Sequence, residues 1–343
     1  MKKLFDIYLL LFCLVLCGSC NNDDEPQAAL EILESKINFQ ALGGEGYVHF
    51  TAPTQVKVEV NVDWCTITEV SAGKVTFDVT PNHDYIGRNA VLTLSCGSNT
   101  EMFHINQAGA VFAYNQDEWL LRTGNEATSI PVTLYGSFDC EVVIPAEAQS
   151  WLSFRQTPGE HTGYFVVTKN TTGEMRGTTV QVVSADRETG FQVIQYDMDD
   201  LLGLWNGQFT SSDGTYGLQD VQISRESDGT YMVSNLLTGM PITLKATEQD
   251  HCLAFQAGQY LGDVNGLYHM SFELVDTNLM YVKDPSRSIS LGPVILNDNT
   301  FALAFGRVKE SDPLAFVFRI YEDKTLNKWV QDLAIFINCL LYK

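Results

Sequence analysis

A sparse pattern occurs twice in this chain, and it constrains the fold more than any other feature. Trp64, Asn82, Arg88 and Gln107 are followed 87 or 88 residues later by Trp151, Asn170, Arg176 and Gln195. Glu59 is echoed by Glu141 at the shorter offset of 82, so the second copy carries about five extra residues before its Trp. Each copy runs in one order: a Trp after a polar turn, an alternating strand, an Asn-containing turn, an Arg, a further alternating strand and a closing Gln. A fixed period with a local insertion is what tandem copies of one module look like.

The segments between these marks alternate. Val75, Phe77 and Val79 face one way and Thr76, Asp78 and Thr80 the other, and Val56, Val58 and Val60 repeat the pattern, the period of two expected of half-buried strands. Seven such segments fall within residues 30–109, punctuated by Gly43-Gly44, Gly73, Gly87 and Gly97. They predict an immunoglobulin-like β-sandwich, because an open single sheet would leave one apolar face wet. Residues 110–197 predict a second.

Four stretches of the first copy resemble the BACON domain (Bacteroidetes-associated carbohydrate-binding, often N-terminal): Asp63-Trp64-Cys65-Thr66, Thr80-Pro81-Asn82, the strand from Arg88 to Leu94, and Ile105-Asn106-Gln107-Ala108-Gly109. The second copy keeps Trp151-Leu152, Lys169-Asn170-Thr171, Arg176 and Gln195, but Tyr196 replaces the closing Ala-Gly. The resemblance implies carbohydrate binding. The marked residues themselves allow two readings. A Trp face stacks on sugar while Asn, Arg and Gln bond its hydroxyls; or the Trp fills the core, the Asn shapes a turn and the Arg braces a loop. Recurrence at matched strand boundaries favours the second. Ligand contacts are then expected from aromatics that only one copy has: Tyr85 in the loop before Arg88, and Tyr114 and Trp119 near the junction of the modules.

Residues 198–343 abandon the pattern. Eight to ten short alternating segments, with Asp228-Gly229 as a hairpin turn, predict an antiparallel up-and-down β-barrel and an all-β chain. Gly203-x-Trp205 resembles the opening signature of lipocalin-type barrels, in which the Trp closes the barrel floor. After Thr325, a plausible N-cap, Leu326, Trp329, Val330, Leu333, Phe336, Ile337, Leu340 and Leu341 fall at helical spacing and predict a terminal helix. The β-branched and aromatic content of residues 334–341 suits a final strand instead. Tyr260 and Tyr268 flank a Gly-Asp-Val-Asn-Gly loop and are the barrel's candidate ligand contacts.

At the front, Lys2-Lys3 precedes an apolar run from Ile7 to Cys17, too short for the ~20 residues of a spanning helix, so residues 1–19 read as a signal peptide. Leu16-Cys17-Gly18-Ser19-Cys20 resembles a bacterial lipobox with Cys20 as the lipidated residue. The acidic run Asn21-Asn22-Asp23-Asp24-Glu25-Pro26, within a tether spanning 20–29, resembles the export signal of Bacteroidetes surface lipoproteins. Together they predict a lipid-anchored protein at the cell surface of the outer membrane.

The net charge of −21, with no basic stretch, makes nucleic acid and anionic lipid head groups poor partners. Behind the leader remain Cys65, Cys96, Cys140, Cys252 and Cys339, without metal-ligand spacing. Cys65 aligns with Leu152 and reads as a core hydrophobe. A Cys65–Cys96 or Cys252–Cys339 bridge is open to an exported protein, but nothing in the spacing requires either. The six His are scattered, and neither a Gly-x-Ser-x-Gly elbow nor a phosphate loop is present, so no catalysis, metal or cofactor is expected. Binding of glycans or glycoproteins, accessory to polysaccharide uptake, is the leading expectation. The alternatives are two spacer sandwiches presenting the C-terminal domain, and a lipocalin-like carrier of a small apolar molecule.

Overall fold

The computed structural model describes residues 30–343 except 116–118, 158, 186, 298 and 307–312. The predicted leader, Cys20 and the whole acidic tether lie outside the described residues. The described residues up to Ala110 form one compact unit and those from Val111 to Lys343 a second.

In the first unit the alternation folds into β1 (Glu31–Lys36), β2 (Asn38–Phe39), β3 (Gly44–Thr51), β4 (Lys57–Val60), β5 (Cys65–Ser71), β6 (Lys74–Val79), β7 (Arg88–Cys96) and β8 (Asn99–Gln107). Two four-stranded sheets, β1-β3-β6-β5 and β2-β8-β7-β4, close on a core that includes Val48, Phe50, Val75, Phe77, Leu92 and Leu94. Burying both inner faces removes the apolar alternates from water. Of the polar neighbours in β6, Asp78 stays exposed while Thr76 is buried and accepts from the Thr68 hydroxyl at 3.0 Å.

The second sandwich repeats this plan with β9 (Phe112–Tyr114), β10 (Leu120–Thr123), β11 (Thr128–Gly136), β12 (Glu141–Val143), β13 (Leu152–Gln156), β14 (Thr162–Val167), β15 (Arg176–Ser184) and β16 (Arg187–Gln195). Its sheets are β10-β16-β15-β12 and β13-β14-β11-β9. The parallel pair β2–β8 recurs as β10–β16. Cys65 and Leu152 occupy matching positions at the start of β5 and β13 and are both buried.

A capped 3-10 turn at Met198–Leu201 leads into β17 (Gly203–Ser211), β18 (Gly214–Arg225), β19 (Tyr231–Ser234), β20 (Thr243–Gln249), β21 (Cys252–Gln256), β22 (Gln259–Val264), β23 (Tyr268–Val275), β24 (Tyr281–Val282), β25 (Ser288–Ile295), β26 (Phe301–Gly306), β27 (Ala315–Tyr321) and β28 (Trp329–Tyr342). Eight of them close a barrel in the order β17-β18-β19-β20-β21-β25-β26-β28, with β28 returning to β17. Closure leaves these strands no free edge. The interior is filled by side chains: Phe209 and Phe316 stack on Phe336 at 3.9 and 4.5 Å between ring centres, and Phe255, Phe272 and Phe305 continue the cluster. Trp205 is buried at the start of β17 and donates its indole N–H to Leu201 O at 2.9 Å.

The sheet forks at β28. Ile337 pairs with Thr210 of β17 and with Ala315 of β27, so those two strands lie on opposite edges of β28. On the β27 edge, the N-terminal half of β28 pairs β27 while Leu340 and Leu341 pair β26. β27, β23 and β22 therefore extend as a flap of sheet with one face on the barrel core and the other turned outward.

The terminal helix is thus replaced by a strand of 14 residues. Phe336 and Cys339 lie three apart and are both buried, which mimics helical spacing. The cause is an irregularity in the β17 pairing there and a left-handed Asn338 (φ 49°), which together shift the strand alternation by one residue. Three neighbouring strands, β17, β26 and β27, needed backbone partners, and a helix could not have supplied them.

Neither bridge left open by the sequence forms, for all five described cysteines are free thiols. The Cys96 thiol meets the Thr54 hydroxyl at 3.1 Å, and Cys252 sits 3.1 Å from the Arg122 guanidinium. Arg122 belongs to β10, and its Nε also donates to Pro293 O of β25 at 2.9 Å. Gln192 of β16 pairs its amide with both the N–H and the C=O of Ile295. Leu120, Ile194 and Tyr196 join the barrel's own core cluster, and a Cβ at Gly292 would come within 2.8 Å of the Cys252 sulfur. The second sandwich and the barrel are one packed body.

Candidate functional site

The repeated residues bond to one another. Arg88, opening β7, donates Nε–H to Gln107 Oε1 at 2.8 Å and a terminal N–H to Thr80 O at 2.8 Å, and lies 4.4 Å over the Trp64 ring. Gln107 then donates to Ala41 O and Thr80 O, both at 2.9 Å. Asn82 closes its loop by donating to Ile86 O and Ala108 O. The second copy duplicates this: Arg176 to Gln195 and Thr168 O at 2.8 Å, 4.8 Å over Trp151, with Gln195 on Gly124 O and Thr168 O and Asn170 on Glu174 O. These donors are spent within each module, on backbone carbonyls and on neighbouring side-chain amides. Trp64 is only half-buried, with Arg88 as its lid, whereas Trp151 is buried.

The unrepeated aromatics are not brought together. Tyr85 is exposed in its loop, and Trp119 is borderline exposed before β10. Tyr114 is partly buried against the second sandwich and packs on Phe191 at 5.7 Å. In the barrel, Tyr260 and Tyr268 part company. Tyr260 bonds Asp263 and, at 3.0 Å, His269, so it shares their face of the sheet. Tyr268 precedes His269 in β23 and points to the other face.

That outer face of the flap carries a denser constellation. Register places Asp263, His269, Tyr321 and Trp329 in one row across β22, β23, β27 and β28, and Tyr260, Ser271, Arg319 and Asp332 in the next. Behind them Val275, Ala315 and Val317 form a small apolar base. Glu273, wholly buried, accepts from the Tyr321 hydroxyl and from Arg319 at 3.3 Å, with Lys283 at 3.8 Å. Arg319 also donates Nε–H to Asp332 at 2.7 Å and lies 3.9 Å over Tyr281. Asp332 accepts in addition from the Tyr281 hydroxyl at 2.8 Å and the Trp329 indole at 2.9 Å. One carboxylate thus fixes two rings, and both stay open to solvent, Trp329 at 54% and Tyr281 at 40%.

Electrostatics follow the bonds. The Tyr260 hydroxyl and then His269 hold the Asp263 carboxyl below its usual range. Burial, then the Asp332 carboxylate, pushes the Tyr281 phenol up, and burial followed by Glu273 does the same to Tyr321. Ser271, in register between Tyr260 and Arg319, is buried with no partner for its hydroxyl among the described residues. No group of three or more His, Cys, Asp or Glu among them is placed to hold a metal ion.

Sequence reasoning passed over Glu273, Tyr281, Arg319, Trp329 and Asp332. A signal existed: Glu273 in Phe272-Glu273-Leu274 and Arg319 in Phe318-Arg319-Ile320 are lone opposite charges inside apolar strands, and such charges are seldom buried unless paired. Trp329 was absorbed into the helical stripe.

Residues 54–108 match the BACON family, described as "Putative binding domain, N-terminal", and the first sandwich carries that domain. No curated protein matches the chain. Among solved structures, a variant endo-fucoidan hydrolase of glycoside hydrolase family 107 is 12% identical over 53% of this chain, which spans only 30% of the hydrolase, with a TM-score of 0.26. A chimeric titin fragment carrying a decorin peptide is 8% identical, covering 49% of this chain and 97% of its own, at 0.30. A three-immunoglobulin titin fragment is 12% identical over 66% and 92%, at 0.26. Likenesses this slight bear no functional weight.

Proposed function

We propose that this chain is a cell-surface lipoprotein that binds glycan, through the outer face of the barrel flap, as an accessory to polysaccharide uptake. The observation that carries it is the pair of exposed rings, Trp329 and Tyr281, held by one carboxylate, Asp332. Exposed aromatic rings are ordinarily mobile, and fixing them in advance lowers the ordering cost of stacking a sugar on them. The BACON match to residues 54–108 supports the binding reading, and the lipobox and acidic run support the anchor.

On this reading the sandwiches are the stalk, since their marked residues are committed to their own backbones. The barrel interior is occupied by phenylalanine rings, which favours a surface site over an apolar carrier. Binding without cleavage is part of the proposal: Glu273 is wholly buried and Asp332 is bonded on both oxygens, leaving neither free for acid–base work on a glycosidic bond.

Affinity electrophoresis of the lipid-free chain through polysaccharide gels tests it. Retardation by at least one polysaccharide is expected, with Trp329→Ala and Tyr281→Ala each weakening it roughly tenfold, about 1.4 kcal/mol. Normal retardation of both variants would exclude this face. The anchor is tested separately: Cys20→Ala should release the protein from the membrane fraction.

A further inference from the structure

We infer that the ligand of this face is an uncharged oligosaccharide lying across the strands from Trp329 to Tyr260, an inference that rests on the glycan reading above. Two observations carry it: the length of the row and the state of its charges.

The row Asp263–His269–Tyr321–Trp329 crosses four neighbouring strands, with its ends Asp263 and Trp329 exposed and Tyr321 buried beneath Lys283, over which a ligand would pass. Three inter-strand steps give about 14 Å, longer than a single pyranose ring. Each end of the face offers aromatic surface: Trp329 of β28 at one, and Tyr260 of β22 at the other, 39% exposed and fixed by Asp263 and His269. Tyr281, rooted in β24 on the β22 edge of β23, reaches over Arg319 to Asp332 between them. Two separated ring platforms on one face fit successive sugars of a chain.

The charges along it are already paired. Arg319 is taken by Asp332 and Glu273 and covered by Tyr281. Lys283 lies near Glu273, donates to Leu326 O and sits 4.4 Å over Tyr321. Lys324 lies 5.4 Å over Tyr260 and acts on Asp263. Three carboxylates thus meet three cations, and the cation at the centre, Arg319, presents no open fork to a sulfate or a uronate. A polyanionic glycan would in addition approach a chain of net charge −21. Hydroxyl groups, by contrast, can still bond the spare lone pairs of Asp263 and Asp332.

The test measures binding of the whole lipid-free chain to three probe sets: neutral xyloglucan, dextran and galactomannan with their oligosaccharides, polygalacturonate, and heparin. Neutral probes are expected to bind, changing less than about twofold between low and high salt, with the anionic probes at least roughly tenfold weaker. Tyr260→Ala is expected to weaken a bound hexasaccharide about fivefold or more while leaving the corresponding disaccharide unchanged. If heparin or polygalacturonate binds as tightly as the neutral probes, or binding falls with salt, the uncharged-ligand inference is overturned while the glycan reading survives. Equal effects of Tyr260→Ala at both lengths overturn the extended site. Failure of every probe overturns the glycan reading itself.

Discussion

At the scale of single residues, the repeated marks act by satisfying backbone. Removing Arg88 leaves the side-chain oxygen of buried Gln107 without its donor, while Thr80 O keeps the bond from Gln107, and an unpaired buried polar group costs about 1–3 kcal/mol. Arg88→Ala should therefore lower the unfolding free energy of the first sandwich by that amount, and Arg176→Ala that of the second body. Lys at either position should rescue only partly, because an ammonium keeps the charge over the Trp but lacks the two-pronged fork. Thermal and urea unfolding check this, and a loss within about 0.5 kcal/mol, typical of bare surface sites, would refute it. A second residue-scale effect concerns the phenols of Tyr196 and Tyr321, both raised above their ordinary 10.0, chiefly by burial. The unfolded chain sheds these protons as pH passes about 10 while the fold retains them, so their contribution is intact below pH 10 and drains away above it. Urea midpoints for residues 111–343 should hold to about pH 10 and then fall, and Tyr321→Phe should flatten the fall. An unchanged alkaline slope in that variant would show that Tyr321 does not contribute.

Among the elements, β28 decides the architecture, because it closes the barrel against β17 and carries the flap against β27. Its Asn338 has φ 49°, a left-handed backbone that costs most L-residues about 1–2 kcal/mol and glycine nothing. Asn338→Gly should leave stability unchanged or slightly higher, whereas Asn338→Val should destabilise by about 1–2 kcal/mol. Were the segment helical, the order would reverse, with glycine costing roughly 0.5–1 kcal/mol, so chemical denaturation of the two variants discriminates. This element also shows where sequence legibility ended. Strict alternation such as Val75-Phe77-Val79 exposed the sandwich strands directly, and Asp228-Gly229 marked its turn. In β28 an irregularity broke the period of two, so the buried set took on helical spacing. The candidate site was less legible still. Tyr260 was readable because it flanks a glycine loop, but Trp329, Arg319 and Glu273 lie 10 to 56 residues apart and meet only through strand pairing. Nothing local in a sequence encodes which strands become neighbours across a fork.

For the whole molecule, the consequential fact is that the second sandwich does not behave as a bead beside the barrel. Leu120, Ile194 and Tyr196 are counted in the barrel's core, and Gln192 adds a side-chain rung from β16 to the backbone of Ile295. On the proposed function, a sandwich fused to the barrel would transmit orientation to the flap face, which a flexible bead would not. Calorimetry should accordingly show two transitions, a smaller one for the unit ending at Ala110 and a larger one for residues 111–343. Gln192→Ala leaves the partly buried N–H and C=O of Ile295 without their partner, at a cost of about 1–3 kcal/mol. It should lower the larger transition by roughly 2–4 °C per kcal/mol, keep it a single peak, and leave the smaller one in place. Arg88→Ala should do the converse, moving only the smaller. If the wild-type chain melts in three transitions, or Gln192→Ala shifts neither peak, the fusion of sandwich and barrel is not energetically real, and the two would have to be treated as independent domains.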